Sequence, residues 1–260
     1  MKVTIIGGGN MGGAIARGMA KGTLVKTEDI TVSDPFQGTL DALKAEYPAI
    51  NVTTNNEEAV VGADIVLLAV KPWLVERILT PLKLDASKQM FISIAAGVTF
   101  EQLSQWVAPG IAMFRVMPNT GISQMESMSI VCSQNASKEQ EQQILDIFNE
   151  MGLAMLMPEQ NMPAVTALAS CGIAYVLEYI RAAMQAGVEL GLYPKDAQKM
   201  VAQAVKGAAS LILNNETHPS VEIDKVCTPG GVTIKGINAL EHGGFTSAVI
   251  NAMKASCVKC

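Results

Sequence analysis

The chain has 260 residues, of which 49% are hydrophobic and only 17% charged, with a mean hydropathy of +0.28. So apolar a chain buries enough surface to offset its ordering entropy, which excludes intrinsic disorder, and five cysteines, an odd and ordinary number, exclude a disulfide scaffold. Nineteen basic against 24 acidic residues leave a net charge of −5 with no Lys/Arg cluster, so the electrostatic footprint of a nucleic-acid binder is missing.

In chain order, residues 1–157 alternate short β-rich runs with amphipathic segments, the pattern of a parallel sheet wrapped by helices. Val3–Ile6 predicts a strand and Asn10–Lys21 a helix, then a strand over 30–34 and a helix over Gln37–Glu46. Further strands are expected at Asn51–Thr53, 65–69 and 90–94. Thr99 and Gln102 form a capping-box pair that opens a short helix ending before Pro109-Gly110. Strand candidates at 111–116 and 128–132 precede a second capping pair, Ser137 and Gln140. Its helix carries Ile144, Ile147, Phe148 and Met151 on one face, Gly152 takes the C′ position, and 153–157 returns as a last strand.

Beyond Pro158 strand signals disappear, and Ala/Val/Leu/Met helical patterns run to the end. Pro194 fits the first turn of a helix reaching about Leu213, with Asn214-Asn215 as its stop. A loop with His218-Pro219 leads to Cys227-Thr228-Pro229-Gly230-Gly231, and a final helix pair breaks at His242-Gly243-Gly244. The expected division is therefore an α/β domain over 1–157 and an all-α domain over 158–260.

The longest uncharged stretch, from Gln160 to Leu177, falls short of the roughly 20 mostly apolar residues a membrane span needs. The N-terminus enters a strand-like run at Val3 where a signal peptide would be apolar and longer. The expectation is a cytoplasmic protein with neither a membrane nor a nucleic-acid partner. Its apolar excess lies in the helices: Met162 to Leu177 is apolar nearly all round, and 201–213 is broken only by Gln203, Lys206 and Ser210. Some 100 residues of helix have little interior in which to hide such faces, so a second subunit is expected to cover them.

Gly7-Gly8-Gly9-Asn10-Met11-Gly12 contains GxGxxG, a weak string alone. A preceding strand, a following helix, and the acidic Asp34 about 20 residues further on turn it into the fingerprint of a Rossmann dinucleotide-binding domain. Gly7 permits the tight turn, Gly9 lets backbone approach a pyrophosphate, and Gly12 allows close helix–strand packing. The helix start adds amides and a positive dipole. Asp34 would accept hydrogen bonds from an adenosine ribose and repel a 2′-phosphate, and no arginine follows it, so the rule leans toward NADH over NADPH. The plain alternative is that Asp34 caps the next helix.

Ala69-Val70-Lys71-Pro72, Ser93-Ile94-Ala95-Ala96-Gly97 and Met117-Pro118-Asn119-Thr120 are motifs of one family, and the C-terminal half decides it. Asp224-Lys225-Val226-Cys227-Thr228-Pro229-Gly230-Gly231-Val232-Thr233 closely resembles the D-x-V-x-[ST]-P-G-G-x-T signature of the pyrroline-5-carboxylate reductases. Leu240-Glu241, Gly243-Gly244-Phe245 and His218-Pro219 match its flanks. The resemblance is colinear over essentially the whole chain. It implies a Rossmann N-domain and an all-α C-terminal dimerisation domain, giving a homodimer that in the family often assembles into a ring of dimers. It implies NADPH- or NADH-dependent reduction of 1-pyrroline-5-carboxylate to L-proline, the last step of proline biosynthesis.

By motif, the resemblance assigns cofactor binding to Gly7, Gly9, Asn10, Met11, Gly12, Asn56, Ala69, Val70, Lys71, Pro72, Ala95, Ala96 and Gly97. Substrate binding falls to Gly230, Gly231, Val232 and Thr233. Two departures stand out. Ser170-Cys171-Gly172-Ile173-Ala174-Tyr175 replaces the family's G-S-G-P-A-Y-type run, and Gly121 follows Thr120 where the family usually has proline. Both put catalytic efficiency or the exact substrate in question, though not the fold.

Reducing an imine needs a hydride donor, a proton on nitrogen and a clamp on the carboxylate. Glycine amides at a helix start form an anion site suited to a small carboxylate, and Thr233 in that first turn is the candidate catalytic residue, orienting or protonating the ring nitrogen. Its plain alternative is a helix cap. A protonated imine is already electrophilic, which fits a chain with only two histidines, His218 and His242, in separate loops. No Ser-His-Asp triad and no metal site have sequence support. Cys257-Val258-Lys259-Cys260 spells CxxC at the chain end and reads as tail, while Cys132, Cys171, Cys227, Met151, Met155, Met157 and Met162 read as core. A β-hydroxyacid reductase would need a catalytic lysine on a C-domain helix, where Lys199 and Lys206 are available outside any motif. A non-catalytic nucleotide sensor is the alternative from another class. Glu159 and Glu216 receive no role.

Overall fold

The structure, a computed structural model, describes residues 1–257. Contacts divide them into two compact units, one of Met1–Ser170 and one of Cys171–Ser256.

The first unit is built on one eight-stranded sheet. Its elements in chain order are β1 (Val3–Ile6), α1 (Asn10–Lys21), β2 (Ile30–Ser33), α2 (Gln37–Glu46), β3 (Asn51–Thr53), α3 (Asn56–Ala59), β4 (Ile65–Leu68), α4 (Val75–Leu79) and β5 (Met90–Ser93). There follow α5 (Phe100–Leu103), β6 (Ala112–Met117), β7 (Ser127–Gln134), α6 (Lys138–Asn149), β8 (Gly152–Leu156) and α7 (Met162–Val165). The strand order is β3-β2-β1-β4-β5-β6-β7-β8. All pairings are parallel except β6 with β7, where Arg115 stands opposite Cys132.

Strands covered on both faces read as continuous apolar runs. That is what VTII, IVLL and MFIS do in β1, β4 and β5, every residue of which is buried. Their alternation is hidden in the choice of core. Ile5, Leu67, Ile92 and Phe114 join Ile15, Leu40 and Phe148 on one face, whereas Ile6, Val66, Phe91 and Met113 join Leu79, Leu103 and Met162 on the other. The central strands are thus shared by two cores, each of which α-helices complete.

Local signals held where they were strongest. Both capping boxes form, Thr99 with Gln102 and Ser137 with Gln140. Other readings change. The helix after Thr99 is a single turn ending at Leu103, and Gly152 is not the C′ residue of α6 but the first residue of β8. There Gly152 lies so close to the Ser127 backbone that a side chain would collide with it. Met155, expected in the core, is 47% exposed because β8 is the sheet's edge strand.

From α7 the chain passes through a π-helical turn, Thr166–Cys171, into α8 (Gly172–Glu189). The second unit continues with α9 (Pro194–Asn215), α10 (Pro219–Val226), α11 (Val232–His242) and α12 (Phe245–Ser256). The Asn214-Asn215 pair does not stop α9; the helix includes both and ends on Glu216 in left-handed conformation at φ 52°. Pairing of α8 with α9 is close, since a Cβ on Gly187 would lie 3.0 Å from the Ala197 methyl. Gly172 and Ala197 are nonetheless the buried residues of this unit. Cys171 and Cys227 are half-buried rather than core, while Cys132 in the first unit is fully buried.

The helical run Glu159–Glu189 has 31 residues, and a window of it reaches a mean hydropathy of 1.4 with 17% buried. By length and composition alone it could cross a membrane, because the helix continues through Glu178 and Arg181 beyond the uncharged stretch. The CxxC string ends at Cys260, outside the described residues.

Candidate active site

The six parallel strands β1 to β6 bring their carboxyl ends to one edge of the sheet, and the order reverses between β1 and β4. A crevice at such a switch point is where open α/β sheets take ligands. The backbone ties its loops together: Gly7 N–H donates to Ser33 O (2.7 Å), Ala69 N–H to Ile6 O (2.8 Å) and Ile94 N–H to Leu68 O (3.1 Å). The residues at 7–12, 34, 56, 69–72 and 95–97 are therefore neighbours, as the sequence spacing requires of one site.

The glycines fit their assigned parts. Gly7 has φ +101°, and a Cβ on it would sit 2.5 Å from Ala69 O. A Cβ on Gly12 would collide with the Gly7 carbonyl, so α1 could not lie this close to the turn with any other residue there. Around Gly9 the space is open to 4 Å, and Gly9 is the N-cap of α1 with no side chain supplying a cap. Its first-turn amides point into that opening without an intrahelical partner. Open space in front of free amides at a helix start is what a dinucleotide pyrophosphate needs, so the residues present fit the group. A cleft of about 400 Å³ runs from Gly8, Gly9 and Asn10 along α1 past Arg17 and Thr39.

Asp34 lies just past the end of β2 and is 7% exposed. Its Oδ2 accepts from Gly8 N–H (2.8 Å) and its Oδ1 from Phe36 N–H (2.9 Å). It thus fastens the glycine turn and also shapes the entry to α2, whose N-cap is Phe36. Asn56 opens α3, and its Oδ1 accepts from Ser33 Oγ (2.6 Å). Ala69 and Val70 are half-buried, Lys71 is exposed, Ala95 is buried, and Ala96 and Gly97 are exposed on the loop after β5.

Gly121 explains its own departure. Its N–H donates to Asn119 Oδ1 (2.9 Å), and a Cβ there would stand 2.5 Å from Glu126 O. Proline has no N–H to give and carries the Cβ that does not fit. The other end of the Asn119 amide donates to the Ala169 carbonyl in the π-turn (3.1 Å).

In the helical unit, residues 228–231 form a turn closed by Gly231 N–H to Thr228 O (2.9 Å). Gly231 is the N-cap of α11 and no side chain caps it; Val232 and Thr233 are its first two residues, both exposed. Thr233 is therefore not the cap; it is the second residue of a helix whose first-turn amides no side chain caps. His218 Nδ1 accepts from Ser220 N–H (3.2 Å), capping α10 with Pro219 behind it. His242 ends α11. Lys199 and Lys206 lie exposed along α9. Tyr175 reaches Ser256 Oγ and the Ala252 carbonyl, tying α8 to α12. Among the described residues there is no cluster of His, Cys, Asp or Glu able to hold a metal.

Sequence reasoning left out one charged group in the first unit. Arg115, buried in β6, donates from Nη1 to Glu159 Oε1 at 2.5 Å, and the same oxygen accepts from Phe100 N–H (2.7 Å). The guanidinium lies 6.0 Å from the Phe100 ring centroid. Burial pushes the neighbouring Cys132 thiol up to about 11, with Arg115 opposing and Glu159 adding, so it is no nucleophile at neutral pH. A lone arginine in an otherwise apolar strand was the available signal.

A family model described as pyrroline-5-carboxylate reductase dimerisation matches residues 159–260, and one described as NADP oxidoreductase, coenzyme F420-dependent, matches residues 2–97. The chain is 37% identical to pyrroline-5-carboxylate reductase of Methanosarcina acetivorans, over 97% of this chain and 94% of that one. It is 35% identical to pyrroline-5-carboxylate reductase 1 of Dictyostelium discoideum, over 98% of its own length, and spans 48% of that longer protein. Among solved structures, the Plasmodium falciparum pyrroline carboxylate reductase with NADP bound matches at 31% identity and a TM-score of 0.87, covering 99% of this chain and 95% of that one.

Proposed function

Because the chain belongs to the pyrroline-5-carboxylate reductase family, we propose that it reduces 1-pyrroline-5-carboxylate to L-proline with NADPH or NADH, the last step of proline biosynthesis. The observation that carries the reading is the glycine turn at the switch point, whose open face at Gly9 and free α1 amides suit a pyrophosphate. A bound nicotinamide nucleotide supplies the hydride. The chain's own task is placement. Gly7, Gly9, Asn10, Met11 and Gly12 hold the phosphates, Asp34 and Asn56 the adenosine ribose, and residues 69–72 and 95–97 the rest of the cofactor. The amides of Gly230, Gly231 and Val232 take the substrate carboxylate at the uncapped start of α11, and the Thr233 hydroxyl orients or protonates the ring nitrogen.

In this reading residues 1–157 form the NAD(P)-binding domain, and 158–260 the substrate-binding and dimerisation domain. The wide apolar exposure of the helical unit supports a homodimer, in which a second copy covers α8 and α9. A ring of dimers would appear as a multiple of the dimer mass in light scattering. Modest cysteine usage, with Cys132, Cys171, Cys227 and Cys257 free among the described residues, supports a reducing compartment, the cytoplasm.

The test is a single assay with purified protein, reduced nucleotide and 1-pyrroline-5-carboxylate, following the absorbance of the reduced cofactor. Substrate-dependent oxidation is expected. Nucleotide binding without turnover would leave a sensing relative in its place. Thr233→Ala should lower kcat/KM by roughly tenfold or more, and near-wild-type kinetics would remove Thr233 from the mechanism.

A further inference from the structure

We infer that Asp34 makes this chain select NADH over NADPH, because its carboxylate is fixed in the ribose position and cannot withdraw from a 2′-phosphate. The inference rests on the nucleotide-binding reading of the glycine turn. Its new element is the fixation. Asp34 is buried, with Oδ2 on the Gly8 amide and Oδ1 on the Phe36 amide. Swinging it aside would break both hydrogen bonds and leave the buried Gly8 amide without an acceptor. Each carboxylate oxygen has a second lone pair, so the group still accepts two ribose hydroxyls while both amides stay bound. It has no donor with which to meet a phosphate.

The cations that line the cleft, Arg17 and Lys21, lie along α1, and the segment next to the carboxylate has none. The segment after Asp34 reads Pro35-Phe36-Gln37-Gly38-Thr39, without a cation. Of the two cleft cations Arg17 is already engaged, its Nε pairing with Glu46 Oε2 at 2.5 Å, and Lys21 lies at the far end of α1 from the glycine turn. A 2′-phosphate would therefore face the carboxylate across a low-dielectric crevice, a like-charge contact that costs NADPH far more than the lost hydroxyl bond. One guanidinium could answer it from elsewhere. Arg77 lines a separate cleft of about 370 Å³ with Asn55, Asn56 and Glu57, and there it shares the space with the Glu57 carboxylate.

The decisive measurement is calorimetric binding of ADP-ribose and of 2′-phospho-ADP-ribose to the intact protein, alongside kcat/KM for NADH and NADPH. ADP-ribose should bind at least tenfold more tightly, about 1.4 kcal/mol, and the kcat/KM ratio should favour NADH by a similar factor. Asp34→Asn should cut the binding preference at least fivefold. A companion variant, Phe36→Arg, adds a cation at an exposed side chain and should strengthen the phosphorylated ligand alone. Equal or tighter binding of 2′-phospho-ADP-ribose by the wild-type protein overturns the inference, and its loss in Arg77→Ala would transfer selectivity to that arginine. An unchanged ratio in a folded Asp34→Asn overturns the inference as well. Selective ADP-ribose binding without reduction of 1-pyrroline-5-carboxylate would uphold the inference and sink the proposed reaction instead.

Discussion

The two units solve the burial problem in opposite ways. In the first, a sheet covered on both faces gives two cores, and Phe91, Phe114 and Phe148 are all completely buried. In the second, five helices bury only Gly172 and Ala197, while Leu190 and Val232 are each 83% exposed and Leu213 is 66% exposed. The same chain-wide surplus of apolar residues is interior in one unit and surface in the other. Exposed apolar area on this scale marks an association surface. The first unit's stability is then a property of the molecule, and the second's a property of its concentration.

The exposed apolar face of α8 is where a single charge should disturb the second unit most. Leu177→Glu places a charge on a face expected to meet a second copy, where each buried leucine contributes about 1.5–3 kcal/mol and symmetry counts it twice. Light scattering should show a halved mass or aggregation, with helical circular dichroism lost on dilution. An unchanged mass and melting curve would mean that α8 is not covered. Phe114→Ala should cost about 3–5 kcal/mol in denaturant titration, the range for emptying a filled aromatic site, and its cost should not vary with protein concentration.

A smaller effect is expected at the buried ion pair. Arg115→Met leaves Glu159 and its bond to the Phe100 amide without the cation, and since Glu159 is one-third exposed the cost is about 2 kcal/mol. Adding Glu159→Gln should recover part of it, so a strictly additive double mutant would contradict the pairing. The smallest effect is at Glu150. Burial works against its charged form, yet hydrogen bonds from the Thr23 hydroxyl and the Thr23 and Leu24 amides outweigh it and hold the carboxyl below its ordinary value. A depressed carboxyl contributes stability that is complete above the unfolded value of about 4.3 and lost as pH falls through the folded one. Glu150→Gln should lower stability at pH 7 by less than about 1 kcal/mol and flatten the profile, the difference from the parent protein vanishing below about pH 4.

What the sequence disclosed follows from range. The glycine turn, both capping boxes and the β1-to-β5 strands depend on residues within a few positions of one another, and spacing reveals them. Strand direction is another matter: nothing in Ser127–Gln134 says that β7 runs against β6, because direction is set by how the connection crosses the sheet. Arg115 and Glu159 meet across 44 residues with no periodicity to link them. Asp34 does not cap α2, whose N-cap is Phe36 without a side-chain bond; its carboxylate closes the glycine turn across 26 residues, a contact that no local spacing shows. Gly121 and Gly152 owe their identity to backbone approaching from another segment, which no window along the chain contains.

The wide turn at Thr166–Cys171 has a consequence for how this protein could change over generations. A π-turn accommodates one residue more than an α-turn, the arrangement that one extra residue in an α-helix produces. Removing one residue between 166 and 171 would restore ordinary winding and leave the helix from Gly172 onward close to its present phase, because the wide turn holds its extra residue within the same rotation. An Ala169 carbonyl re-paired within the helix would no longer be there for Asn119. A one-codon deletion at this point would therefore spare the winding of α8 and be felt instead in the loop after β6, as a lost hydrogen-bond partner for Asn119.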